Sequence, residues 1–177
     1  MTPVLSTRRL VLRPLTRSDV EAVHGILGDE RTTEAVSWGQ DSVESTAAWV
    51  GRRISQQEAT GFSMWLVVRA TDDQAIGLAG FFPTAAPDRL ELGYVIHADH
   101  WRQGYGYEAV SAVLALAEHH DVVATIRSTN AASIALAESL GLERTGTTDD
   151  TRGALLLFER TRQLGTSSTS PPEPHRA

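Results

Sequence analysis

The chain reads as an α+β protein, a mixed sheet with helices packed on it, and three observations predict this. Short runs of alternating or β-branched apolar residues recur between segments whose apolar residues return every three or four positions. Three strand-like runs follow one another through short turns, which implies an antiparallel meander rather than a repeated strand–helix–strand unit. A glycine pair, Gly104 and Gly106, then marks a handover from strand to helix.

Each element has its own signal. Arg8 to Pro14 alternates polar and apolar residues and stops at a proline, as a strand does. Thr16 or Ser18 can cap the helix that follows, in which Val20, Val23, Ile26 and Leu27 make an apolar stripe before Gly28 and Asp29 end it. A looser segment runs from Glu30 to Asp41. A second helix is expected over Ser42 to Gln57, capped by Asp41 or Ser42, with Val43, Ala47, Val50 and Ile54 on one face. The meander comprises Phe62 to Arg69, Ala75 to Phe82 and Leu90 to Ile96. A helix follows over about Tyr105 to His119, with Val110, Val113, Leu114 and Ala117 facing inward. Val122 to Arg127 is a β-branched strand, and Asn130 to Leu140 a helix that Gly141 can terminate. Leu142 to Thr147 and Ala154 to Arg160 close the fold as a strand pair across a polar turn. Residues 1–164 are read as one domain, and the Ser/Thr/Pro-rich tail from Gly165 to Ala177 is expected to be disordered, having almost no apolar surface to bury.

Composition narrows the chemistry. The chain has 177 residues and no cysteine, so it has no disulfide, thiolate nucleophile or cysteine-ligated zinc. A formal charge of −6 argues against nonspecific nucleic-acid binding and is compatible with a cationic, amine-bearing substrate. No apolar run approaches the roughly 20 residues that span a bilayer, and Met1 to Leu5 lack a signal-peptide layout; a cytoplasmic location is expected, without membrane attachment. All 16 residues in the Lys+Arg count are arginine. His97, His100, His119 and His120 lack metal-ligand spacing, so no metal is expected, and His119-His120 is placed near a helix C-terminus.

The segment His100 to Ala109 carries most of the functional information. Glycine removes the Cβ that would keep a ligand's oxygens from the backbone N–H groups, and a helix start adds unpaired donors and a positive dipole end. The result is a cradle for an anion such as phosphate. It lacks the third glycine of a dinucleotide fingerprint and the Gly-Lys-Ser/Thr ending of a nucleotide-triphosphate loop, and the chain has no Gly-x-Ser-x-Gly elbow.

Four motifs give this cradle a context. The opening Ser6-Thr7-Arg8-Arg9-Leu10-Val11-Leu12-Arg13-Pro14-Leu15, the strand Glu91-Leu92-Gly93-Tyr94-Val95-Ile96, the loop Trp101 to Ala109, and the helix from Asn130-Ala131-Ala132-Ser133 to Leu140-Gly141-Leu142 occur in that order. Together they resemble the GNAT superfamily of N-acetyltransferases, within it the RimJ/RimL-like branch, over residues 6 to 160. The resemblance implies a three-layer fold whose mostly antiparallel, twisted sheet of about seven strands has a splayed central pair. It implies acetyl-CoA, or another acyl-CoA, as cosubstrate. The N–H groups of Arg102, Gln103, Gly104, Tyr105, Gly106 and Tyr107 would hold the pyrophosphate. The backbone around Ile96 would pair with the pantetheine arm, Asn130 would hydrogen-bond it, and Ser133 would lie near the thioester sulfur.

The chain departs from the branch's pattern at Tyr107, where Thr or Ser is frequent, at Ser139, where many relatives carry lysine, and at Leu142, where phenylalanine is usual. For the chemistry, an amine must be neutral to attack a thioester, so a base is needed. The resemblance places Glu91 beside the acyl site as that base; the structural alternative is an ion pair with a neighbour such as Arg89. Trp38, Trp49, Trp65, Phe81 and Phe82 divide between core and groove lining, and Glu30, Arg31, Glu34 and Trp38 would border the acceptor groove. The expected activity is direct N-acetyl transfer to a small-molecule amine or a protein N-terminal α-amine. The alternative is a non-catalytic acyl-CoA-binding module on the same fold. The resemblance also carries, by analogy alone, the expectation of a homodimer.

Overall fold

In a computed structural model, residues 3–34, 36–86 and 88–162 are described. A short strand, β1 (Leu5–Ser6), pairs antiparallel with β2 (Leu10–Pro14), the alternating run. Asp19 then accepts both guanidinium N–H groups of Arg13 and the N–H and hydroxyl of Thr16, pinning the turn into α1 (Val20–Leu27). The looser segment contains one helical turn, α2 (Glu30–Thr33), capped by Asp29, whose carboxylate accepts from the Thr32 N–H at 2.8 Å.

Helix α3 (Val43–Thr60) is capped by Ser42 and ends at Gly61, whose φ of 78° suits a residue without a Cβ. Its inner face differs from the expected one. Thr46, Trp49, Val50 and Gln57 are buried, whereas Ala47 is exposed. Trp49 stacks on Trp38 with ring centroids 5.9 Å apart, and burying that ring outweighs burying an alanine methyl.

The meander is β3 (Met64–Arg69), β4 (Gln74–Pro83) and β5 (Arg89–Ile96). Helix α4 (Tyr105–Leu116) connects β5 to β6 (Asp121–Arg127), which lies parallel to it. Helix α5 (Ala131–Ser139) leads to the closing antiparallel pair, β7 (Glu143–Asp150) and β8 (Gly153–Arg160). The sheet order is β1-β2-β3-β4-β5-β6-β8-β7, eight strands rather than about seven. Helix α4 stops a turn before the expected His119, and His120 packs its ring on Phe62 at 4.8 Å.

Two hydrophobic clusters flank the sheet. One contains Leu10, Trp65, Phe81, Leu92 and Ile96 under α4, whose Val110, Val113 and Leu114 are buried as expected. The other joins Leu66, Leu78 and Val95 to α1 and α3. Side chains alternate along β5, so Leu90, Leu92, Tyr94 and Ile96 face the α4–α5 side while Glu91, Gly93 and Val95 face the α1–α3 side. No helix of the described residues is long and apolar enough to cross a membrane. The tail from Gly165 to Ala177 lies outside the described residues.

Candidate active site

The glycine segment is an anion cradle in its hydrogen-bond accounting. Gly104 begins α4 with φ 78° and supplies no side-chain cap, and Arg102 is also left-handed at φ 59°. Among the described residues, the N–H groups of Arg102, Gln103, Gly104, Tyr105, Gly106 and Tyr107 find no acceptor; the first helical bond is Glu108 N–H to the Gly104 carbonyl. Strained backbone and orphan donors together mark a ligand site better than either alone. Tyr107 is half exposed.

The loop is held from behind by residues the sequence reading passed over. Glu108 accepts from the Thr7 hydroxyl at 2.6 Å, the Arg9 N–H at 2.8 Å and Arg9 Nε at 2.7 Å. Arg9 then donates to the Gln103 carbonyl at 2.8 Å and lies 4.6 Å over the Tyr105 ring. Burial alone would raise the Glu108 carboxyl, but the bonds from Thr7 and Arg9 more than offset it and hold the group below its ordinary range. Sequence could not pair these residues, because about a hundred positions separate them.

Strands β5 and β6 pair only at Arg89–Asp121, Leu90–Val122 and Glu91–Val123, then part. The His97 N–H donates to the Ile76 carbonyl across β4, so by antiparallel alternation the peptide groups of Tyr94 and Ile96, beyond the last β6 pair, face the opposite, open side. An extended ligand arm could bond there as a strand would. The Ile96 carbonyl is already taken by Trp101 Nε1 at 2.6 Å, which leaves the Ile96 N–H facing the gap.

A cavity of about 500 Å³ opens at this parting, and Glu91, Tyr94, Asn130 and Ser133 all line it. Glu91 reaches it from the α3 face; Tyr94 and Ser133 reach it from the α5 face. Arg89 is engaged by Glu159 at 2.9 Å, so the expected alternative partner of Glu91 is otherwise occupied. Among the described residues Glu91 makes no ion pair. The Tyr94 hydroxyl donates to Ser133 Oγ at 2.7 Å, and burial raises its pKa. Asn130 caps α5, its Oδ1 accepting from the Ser133 N–H at 3.1 Å, which leaves the amide nitrogen with donors toward the gap.

The α3 side of the cavity carries Trp38, Arg53 and Phe82, and its far wall carries Arg127 and Asp150. Phe82 pairs with Glu91 across β4 and β5. Its ring overlies Gly93, where an added Cβ would sit 2.4 Å from Phe82 Cε2. Arg127 is neutralised by Asp150, with one bond at 2.6 Å, and that bond holds the Asp150 carboxyl down to about 2. Of the four residues expected at the acceptor border, only Trp38 lines this cavity: Arg31 pairs with Asp29 and Asp99, and the Glu34 carbonyl accepts from Arg152. Trp65 and Phe81 are fully buried core. Among the described residues, no group of three or more His, Asp or Glu side chains is arranged to hold a metal ion.

A run of unpaired N–H donors at the start of α4 and a cavity holding a carboxylate without an ion pair suit an acyl-transferring enzyme, and comparison with known proteins agrees. The family model for the acetyltransferase (GNAT) domain matches residues 9–143. The chain belongs to the GNAT acetyltransferase family, and the protein is an acetyl-CoA-dependent acetyltransferase. The uncharacterized N-acetyltransferase YoaA of Bacillus subtilis (strain 168) is 29% identical over 116 residues, covering 64% of this chain and 66% of that protein. A Bordetella pertussis protein described as a GNAT-family acetyltransferase superposes with a TM-score of 0.80 at 25% identity, covering 90% of this chain and 99% of that one. RimL, a ribosomal L7/L12 alpha-N-protein acetyltransferase in complex with coenzyme A, shares the fold with a TM-score of 0.79 at 20% identity, over 91% of this chain and 97% of its own. At that identity the likeness to RimL is one of fold.

Proposed function

We propose that the protein moves an acetyl group from acetyl-CoA directly to a primary amine within a ternary complex. The acceptor is a small-molecule amine or a protein N-terminal α-amine. The observation that carries this reading is the single cavity that Glu91 and Ser133 share from opposite faces of β5. When bound, acetyl-CoA supplies the thioester; the orphan N–H groups of Arg102 to Tyr107 suit its pyrophosphate, and the open edge at Ile96 with the Asn130 amide suits the pantetheine arm.

In this scheme Glu91 takes a proton from the acceptor ammonium, directly or through a water, and the freed amine attacks the carbonyl carbon. The C–N bond forms, the C–S bond breaks, and the leaving thiolate takes the Ser133 proton. Ser133 recovers it from Tyr94, whose hydroxyl already points its hydrogen at Ser133 Oγ. The second proton, shed by the acetylated nitrogen and carried by water, restores the Tyr94 phenol, and Glu91 returns the first to solvent. No acyl-enzyme is invoked, since the chain has no cysteine and Ser133 accepts a hydrogen bond rather than giving its proton to a base. A non-catalytic acyl-CoA-binding role would gain from a Glu91 locked to Arg89; Arg89 is paired with Glu159 instead.

The test is release of free CoA thiol from acetyl-CoA in the presence of an amine panel. Amine-dependent release matched by acetylated product is the expected result. Tight acetyl-CoA binding with no turnover on any amine, peptide or ribosomal protein would overturn the reading.

A further inference from the structure

Of the two arginines in the cavity, Arg127 has its counter-charge in Asp150, and Arg53 has none among the described residues. No carboxylate of the described residues lies within 4.0 Å of the Arg53 guanidinium, and its Nε is buried without any hydrogen-bond partner. The group instead lies over two aromatic rings, 5.1 Å from the Phe82 centroid and 5.6 Å from that of Trp49. A buried polar N–H left without an acceptor is costly, and one that lies in a cavity wall is a candidate for completion by a ligand. Burial, with the neighbouring charge of Arg52, pulls Arg53 below its ordinary pKa, as expected of a cation short of counter-charge.

Glu91 is the cavity's other unpaired charge, and both flank one side chain. Phe82 sits directly across from Glu91 and directly beneath Arg53. We infer that Arg53 is a specificity residue that binds a carboxylate on the acceptor, so that the preferred substrate is an apolar-bodied amine carrying its own negative group. The amine end meets Glu91, the body lies along Phe82 and Trp38, and the carboxylate completes the Arg53 guanidinium. This inference rests on the acetyl-transfer reading above and narrows its acceptor. The carboxylate can belong to a free amino acid or to an acidic side chain near a peptide's N-terminus.

Three matched acceptors separate the terms: phenylalanine, phenylalaninamide and phenethylamine. Two dipeptide amides, Glu-Phe and Gln-Phe, separate a side-chain carboxylate from a main-chain one. The wild-type enzyme is expected to favour the carboxylate-bearing member of at least one pair by about 10- to 100-fold in kcat/KM, the worth of one charge-assisted bond. The amide's less basic amine biases the comparison the other way, so the preference is a stringent readout. Arg53→Met should collapse that ratio toward one, and Arg53→Lys should retain part of it. Acetyl-CoA affinity serves as the folding check for both variants. In a binding readout that needs no turnover, N-acetylphenylalanine should quench tryptophan fluorescence in wild type at a concentration about tenfold or more below that needed in Arg53→Met. Turnover without carboxylate preference in either set, or a ratio unchanged in Arg53→Met, overturns this inference and leaves the acetyltransferase reading standing. Absence of turnover on every amine overturns the transfer reading, and equal quenching in wild type and Arg53→Met then overturns this one independently.

Discussion

Tyr94 and Ser133 make the most informative single contact in the molecule. A phenol donating to a serine at 2.7 Å fixes the serine's oxygen as acceptor and frees its own hydrogen to point elsewhere. Tyr94→Phe should therefore act through Ser133, lowering kcat about tenfold while the KM for acetyl-CoA moves little. Ser133→Ala should cost at least as much, and the double variant should be no worse than Ser133→Ala alone. Additive losses in steady-state kinetics would show that the two hydroxyls work separately. At this scale the sequence was partly legible. Ser133 and Glu91 stood out through motif resemblance, whereas Tyr94 was hidden because its partner is 39 positions away. Arg53 gave no signal at all, since what distinguishes it is the absence of a carboxylate nearby in space.

The glycine loop before α4 shows how one element depends on another. Arg102 and Gly104 hold left-handed backbone at the start of α4, and the Arg9–Glu108 bridge from the β1–β2 segment braces it. Gly104→Glu should add a like charge and a strained side chain to the cradle, weakening acetyl-CoA by about tenfold or more in calorimetry. Glu108→Gln should weaken it less, by removing the brace and not the donors. The pH dependence follows from the lowered Glu108 pKa. A depressed carboxyl stabilises the fold above its unfolded value, and the contribution is lost as pH falls through the folded one. Thermal stability of wild type should consequently fall faster than that of Glu108→Gln below about pH 4, and parallel curves would contradict the assignment. Strand and helix periods made nearly every element visible in advance. The errors lie where tertiary packing overrides periodicity: the face of α3, turned by Trp49 stacking on Trp38, and the end of α4, where His120 docks on Phe62.

Across the whole molecule, the cavity comes from a sheet that opens in its middle. Three pairs join β5 to β6 before they part, and the gap lets side chains from both faces of β5 meet in one cavity. Neither composition nor periodicity reveals that parting; only the resemblance implied it, because strand separation is a property of register and not of local sequence. The cavity's lining was legible at Asn130 and Ser133 and opaque where α3, the α2–α3 segment and β8 converge from distant parts of the chain. The central claim is that Glu91, standing free on the acceptor side, deprotonates the amine that attacks from there. The pH profile of turnover for wild type and Glu91→Gln tests it most directly. The variant should lose most activity at low pH, where the acceptor is most protonated, and recover toward wild type as pH rises; a constant ratio between the two across the pH range would contradict it.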